Sequence, residues 1–90
     1  MLMLCRSKVR DPDRWMKVFT SHAGAHRAAG LKLTHFWRSV DDANTVFFLF
    51  KVEDRTKAEA FINAPASAAA GKEAGVIDGD YRFIRPDKAY

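Results

Sequence analysis

Leu31-Lys32-Leu33-Thr34-His35-Phe36-Trp37-Arg38-Ser39-Val40, then Asp41-Asp42-Ala43-Asn44, then Thr45-Val46-Phe47-Phe48-Leu49-Phe50-Lys51-Val52: this stretch decides the fold. The first segment alternates apolar and polar residues, the second is rich in turn formers, and the third is a run of β-branched and aromatic residues. Two strands joined by so short a turn form an antiparallel hairpin. Pairing across the four turn residues matches Val40 with Thr45, Arg38 with Phe47, Trp37 with Phe48, Phe36 with Leu49 and His35 with Phe50. Side chains alternate between the faces of a strand. One face is therefore predicted to carry Leu31, Leu33, His35, Trp37, Val46, Phe48, Phe50 and Val52, the richer apolar set, which belongs under helices. The other carries Thr34, Phe36, Arg38, Phe47, Leu49 and Lys51. It is half apolar and suits burial against a second subunit's sheet, with Phe36, Arg38, Phe47 and Leu49 losing surface on association.

Upstream, residues 1–10 read as a strand. Asp11-Pro12 then caps a helix, aspartate as N-cap and proline in the first turn, expected to run to about Ala29, where Gly30 stops it. Downstream, Asp54 caps a second helix carrying Ala58, Phe61 and Ile62 on one side. Pro65 breaks that helix, and Ala66 to Ala74 continues as small-residue helix. Gly75 and Gly79 bracket a loop before a last short strand, Tyr81 to Ile84. The order βαββαβ is the α+β, ferredoxin-like arrangement, with two right-handed crossovers placing both helices on one side of a four-stranded antiparallel sheet.

Ninety residues allow one domain, here 1–90. A chain this small buries only about two-thirds of its surface, so a partner subunit helps it. The net charge of +4 comes from a basic first half, but its Lys and Arg residues are scattered singly. Nucleic-acid binders show a clustered stripe, so no nucleic-acid partner is expected. No apolar run approaches the roughly 20 residues of a membrane span. The opening Met1-Leu2-Met3-Leu4-Cys5 lacks a basic lead-in and a cleavage site. The lone Cys5 points to a reducing compartment, so the expected location is the cytoplasm. On its strand Cys5 reads as a small core residue.

Asp13-Arg14-Trp15 with Phe19, His22, Arg27 and Gly30, the run Arg38 to Asn44 leading into Val46, and Ala60-Phe61, Ala64-Pro65 and Ala74-Gly75-Val76 together resemble the small dimeric α/β-barrel proteins related to antibiotic-biosynthesis monooxygenases. The resemblance covers nearly the whole chain. It implies a homodimer joined sheet to sheet and, in many members, a ligand held between the sheet and the helices of each subunit. Members include cofactor-free oxygenases, haem-degrading enzymes and proteins of no known activity, and no motif here selects one subgroup.

The histidines are the chemical signal. At about 100° per residue, with Trp15 set to zero, Phe19 falls near 40°, His22 near −20° and His26 near 20°. Both histidines thus lie in the apolar stripe, and the hairpin pairing puts His35 on the sheet face beneath them. A buried imidazole left without a partner costs roughly 1–3 kcal/mol, so three in one layer call for an explanation. One histidine can cap a carbonyl while another reaches solvent, a ligand pocket can satisfy them, or the three can bind a metal. No nearby Asp, Glu or Cys reinforces a metal set, and neither metal nor cofactor is expected. Burial should depress their pKa values.

Two functions follow as expectations. One is a cofactor-independent monooxygenase acting on a small aromatic or polyketide-like compound, with His22 as base, a position that recurs in the resemblance, His26 or His35 orienting it, and Trp15, Phe19, Trp37 and Phe48 holding the ring. The other is a non-catalytic metabolite-binding or dimerisation module.

Overall fold

The computed structural model describes residues 1–89. Its strands are β1 (Leu2–Val9), β2 (Leu31–Arg38), β3 (Thr45–Val52) and β4 (Val76–Ile84), and its helices are α1 (Pro12–Ser21), α2 (Ala23–Ala28), α3 (Arg55–Asn63) and α4 (Pro65–Glu73). All strands pair antiparallel in the order β2-β3-β1-β4, the helices lie on one face, and the fold is ferredoxin-like.

Local chemistry sets the boundaries. Asp11 accepts from the backbone N–H groups of Asp13 and Arg14, and Asp54 from those of Thr56 and Lys57, capping α1 and α3 as expected. The first helix is not continuous to Ala29. It breaks at His22, where the Ser21 hydroxyl donates to the Val18 carbonyl at 2.6 Å and competes with the helical ladder. Pro65 restarts the second helix as α4. The last strand is longer than expected, because Gly79 lies inside β4 opposite Ser7 and not in a loop. A Cβ there would sit 2.9 Å from the Arg6 carbonyl oxygen, so the glycine serves close strand approach.

The hairpin pairing departs from the expected one, and the departure moves side chains between faces. Ser39 and Asp42 build the connection with their own side chains: the Ser39 hydroxyl accepts from the Asp41 and Asp42 N–H groups, and Asp42 accepts from the Asn44 N–H and the Thr45 hydroxyl. Arg38 consequently pairs with Val46, Trp37 with Phe47, Phe36 with Phe48 and His35 with Leu49. A bulge at Thr34 then sets Leu33 opposite Phe50 and Leu31 opposite Val52, which returns Leu31 and Leu33 to the expected face but not to the expected partners. The Thr34 hydroxyl donates to the Leu49 carbonyl at 3.1 Å within that bulge.

Phe36 and Arg38 therefore face the helices, and His35 and Trp37 face the open side of the sheet, each the reverse of the expectation. Arg38 reaches Asp13 of α1 at 3.9 Å and does not lie on the open face. The core is closed by Met3, Cys5 and Val9 from β1, Trp15 from α1, Val46, Phe48, Phe50 and Val52 from β3, and Ala58 from α3. No described helix is long and apolar enough to cross a membrane.

Candidate ligand cleft

Between the helices and the sheet lies a cleft of about 730 Å³, floored by Met3, Cys5, Phe48 and Phe50 and walled by Trp15, Val18, Phe19, Phe61 and Ile62. Its apolar floor is the helix-facing parity of β1 and β3. Its walls come from the inward stripes of α1 and α3. The small residues Ala66, Ala70 and Gly71 of α4 leave room above β4.

Aromatic rings organise one end. Trp15 stacks on Phe19 at 4.6 Å between centroids and on Phe36 at 5.6 Å, and it tilts against Phe48 at 5.2 Å. His26 completes the cluster, 4.7 Å from Phe19, 5.3 Å from Phe50 and 5.6 Å from Phe61. Burial among these rings lowers the His26 pKa, and the neighbouring His22 lowers it further. The neutral imidazole, with one ring nitrogen to accept and one to donate, is thus favoured. His22, at the α1–α2 break, lines the same cleft and is half-buried.

Five of the seven residues expected at the site, His22, His26, Trp15, Phe19 and Phe48, do line the cleft. His35 and Trp37 do not, because the bulge and the longer connection put them on the other sheet face. There their rings stack at 5.1 Å and 9°, and His35 Nδ1 lies 3.2 Å from the Thr34 hydroxyl. Three histidines therefore do not converge, and no three His, Cys, Asp or Glu side chains cluster as a metal site among the described residues.

Ser7, Tyr81 and Lys72 line the far end of the cleft. Sequence reasoning missed them. Ser7 shares the parity of Met3 and Cys5 on β1, a signal that was available, whereas the face of Tyr81 is fixed by its pairing with Cys5, which is not a local signal. Cys5 lies on the floor at 5% exposure. Burial, with a smaller contribution from the negative charge of Asp80, pushes its thiol up to about 12, so it is an apolar surface and not a nucleophile.

A second cleft of about 780 Å³ lies beside the edge strand β2 and shares Phe19, His26, Leu31 and Phe50 with the first. Its floor is apolar, and it gathers neither Trp15 nor His22.

No protein-family model and no curated protein matches the sequence. Solved structures do match it in shape. An uncharacterised NIPSNAP domain protein from Burkholderia xenovorans superposes with a TM-score of 0.65 at 15% identity, over 97% of this chain and 95% of that one. A protein described as an antibiotic biosynthesis monooxygenase gives 0.66 at 15% identity, over 98% of this chain and all of the other. A third, from Caulobacter crescentus and provisionally assigned to the same activity, gives 0.68 at 16% identity, over 94% and 89%. Identities this low carry the fold and not the chemistry. The chain shares the ferredoxin-like fold of the NIPSNAP and antibiotic-biosynthesis-monooxygenase-like proteins.

Proposed function

We propose that this protein binds a small aromatic or polyketide-like compound in the cleft between helices and sheet, and that it acts there as a cofactor-independent monooxygenase-like enzyme. The observation that carries the reading is the joint placement of His22 and His26 beside Trp15, Phe19 and Phe48 in one cleft of about 730 Å³. Ligand sites begin near roughly 300 Å³. The rings offer flat apolar walls to an aromatic substrate. His22 takes a phenolic proton as general base, and His26, whose neutral form its surroundings favour, orients the substrate or the base. The deprotonated, electron-rich ring then adds dioxygen at a ring carbon to form a peroxide. Its O–O bond breaks as the hydrogen on that carbon leaves as a proton, so that the substrate itself supplies the electrons and the products are a quinone and water. The shared fold of proteins described as monooxygenases supports this reading.

The second reading is a non-catalytic metabolite-binding module. One observation favours it: among the described residues no carboxylate hydrogen-bonds to His22 or His26, whereas catalytic imidazoles are commonly oriented by such a partner. Oxygen uptake with a panel of phenols and hydroxyquinones, without added cofactor, separates the two. The enzyme reading predicts uptake that His22→Ala abolishes while the fold is kept. Binding without uptake on every compound selects the module.

We also propose that the chain works as a cytoplasmic homodimer joined through the open sheet face. Leu4, Phe47, Leu49 and Trp37 give that face an apolar centre, and Leu4 and Trp37 stand 37% and 45% exposed.

A further inference from the structure

The two ends of the cleft differ in chemistry. Phe48 of β3, Cys5 of β1 and Tyr81 of β4 are register partners and form one row across the helix-facing side of the sheet. Two strand spacings of about 4.8 Å separate Phe48 from Tyr81, so the row is on the order of 10 Å long. Its β3 end lies under Trp15 and Phe19, beside His26. Its β4 end gathers the ammonium of Lys72, from the last turn of α4, and the hydroxyls of Ser7 and Tyr81.

The fold does not use these three polar groups. Among the described residues none of them enters an ion pair or a side-chain hydrogen bond. Arg6 and Asp80 also border this end, but they alternate to the opposite face of the sheet and are bonded to each other at 3.0 Å. Lys72 therefore contributes one unanswered positive charge. The end is also kept open. Ala70 and Gly71 of α4 place no bulk above β4. Gly79, directly opposite Ser7, leaves that hydroxyl uncovered, since a Cβ there would stand 3.3 Å from Ser7 Oγ.

We infer that the β4 end of the cleft is an anion subsite and that the compound bound is an aromatic carboxylic acid, its ring against Trp15 and Phe48 and its carboxylate among Lys72, Ser7 and Tyr81. This rests on the ligand-cleft reading above and names the substrate's second anchor. One ammonium and two neutral hydroxyl donors match the single charge and two acceptor oxygens of a carboxylate. A phosphate dianion would bring a second negative charge close to Asp80 with nothing to answer it. The length of the row suits two fused rings with the acid at the far end.

Two probes that differ only in that group test it: a hydroxynaphthoic acid with hydroxyl and carboxylate at opposite ends, and its methyl ester. Both are titrated calorimetrically at neutral pH, and the Trp15 indole resonance reports seating in the cleft. The wild type should bind the acid on the order of tenfold more tightly than the ester, the size of a charge-assisted hydrogen bond. Lys72→Met should bring the two affinities together by weakening the acid alone, and Lys72→Arg should keep the preference. Tyr81→Phe should reduce it. Lys57→Met removes the same charge from an exposed position on α3 outside the cleft and should leave the preference intact, which separates the subsite from attraction by net charge. An acid that binds no better than the ester to the wild type, a preference that survives Lys72→Met, or one that Lys57→Met removes equally overturns the subsite; the ester's binding then still upholds the cleft. If neither probe binds or moves Trp15, the ligand-cleft reading fails and the inference with it.

Discussion

His26 packs its imidazole against the ring of Phe19, with centroids 4.7 Å apart and planes at 42°. Phe50 and Phe61 close around the same ring at 5.3 and 5.6 Å. A protonated imidazole there gives up part of its hydration and packs against aromatic rings beside a neighbouring histidine. The folded protein therefore holds His26 below its ordinary value of 6.5.

The pH dependence of stability follows from that. A histidine whose folded pKa is depressed binds fewer protons in the folded state, so its contribution is complete above about 6.5 and is lost as pH falls toward the folded value. Urea midpoints should drop on going from pH 7.5 to pH 5, and His26→Phe should reduce the drop. An NMR titration that returns an ordinary midpoint for His26 contradicts the cage.

The two tryptophans should separate folding from association. Trp15 is 3% exposed at the centre of the ring cluster, and Trp15→Ala should cost about 3–5 kcal/mol in denaturant unfolding. Trp37 stands 45% exposed on the open face. Trp37→Ala should weaken the dimer in dilution experiments and leave the stability of the subunit close to wild type. Equal losses of stability from both substitutions contradict this division.

Much of this division was legible in the sequence, and legibility ended at two one-residue shifts of register. The caps at Asp11 and Asp54, the break at Pro65 and the β-branched and aromatic run of β3 are local signals, and each lies where the structure shows it. Register is not local. The hydroxyls and carboxylates of Ser39 and Asp42 lengthened the connection, and the Thr34 bulge added one residue, so His35 and Trp37 changed faces while Leu31 and Leu33 did not. Neither event leaves a mark in hydrophobic periodicity. The helix histidines escaped this hazard: the break at His22 puts His26 on α2, yet both line the cleft.

Cys5 should be chemically silent in the folded protein. Its thiol is buried on the central strand β1 and pushed up to about 12, so almost none is thiolate at pH 8. A thiol-specific reagent should react only as fast as the chain opens, and at once in denaturant. Fast stoichiometric labelling of the native protein contradicts the packing of the cleft floor.

The most direct measurement of ligand binding in the cleft uses the two indoles as opposed reporters. With ¹⁵N-labelled protein, the Nε1–H resonances of Trp15 and Trp37 are followed against compounds chosen because they raise the melting temperature. Trp15 lies in the cleft wall and Trp37 on the far side of the sheet. Aromatic compounds that bind the cleft should move the Trp15 resonance in proportion to occupancy and leave Trp37 in place, and His22→Ala should weaken that response. Stabilising compounds that move Trp37 alone, or neither indole, would show that the space between helices and sheet is not the binding site.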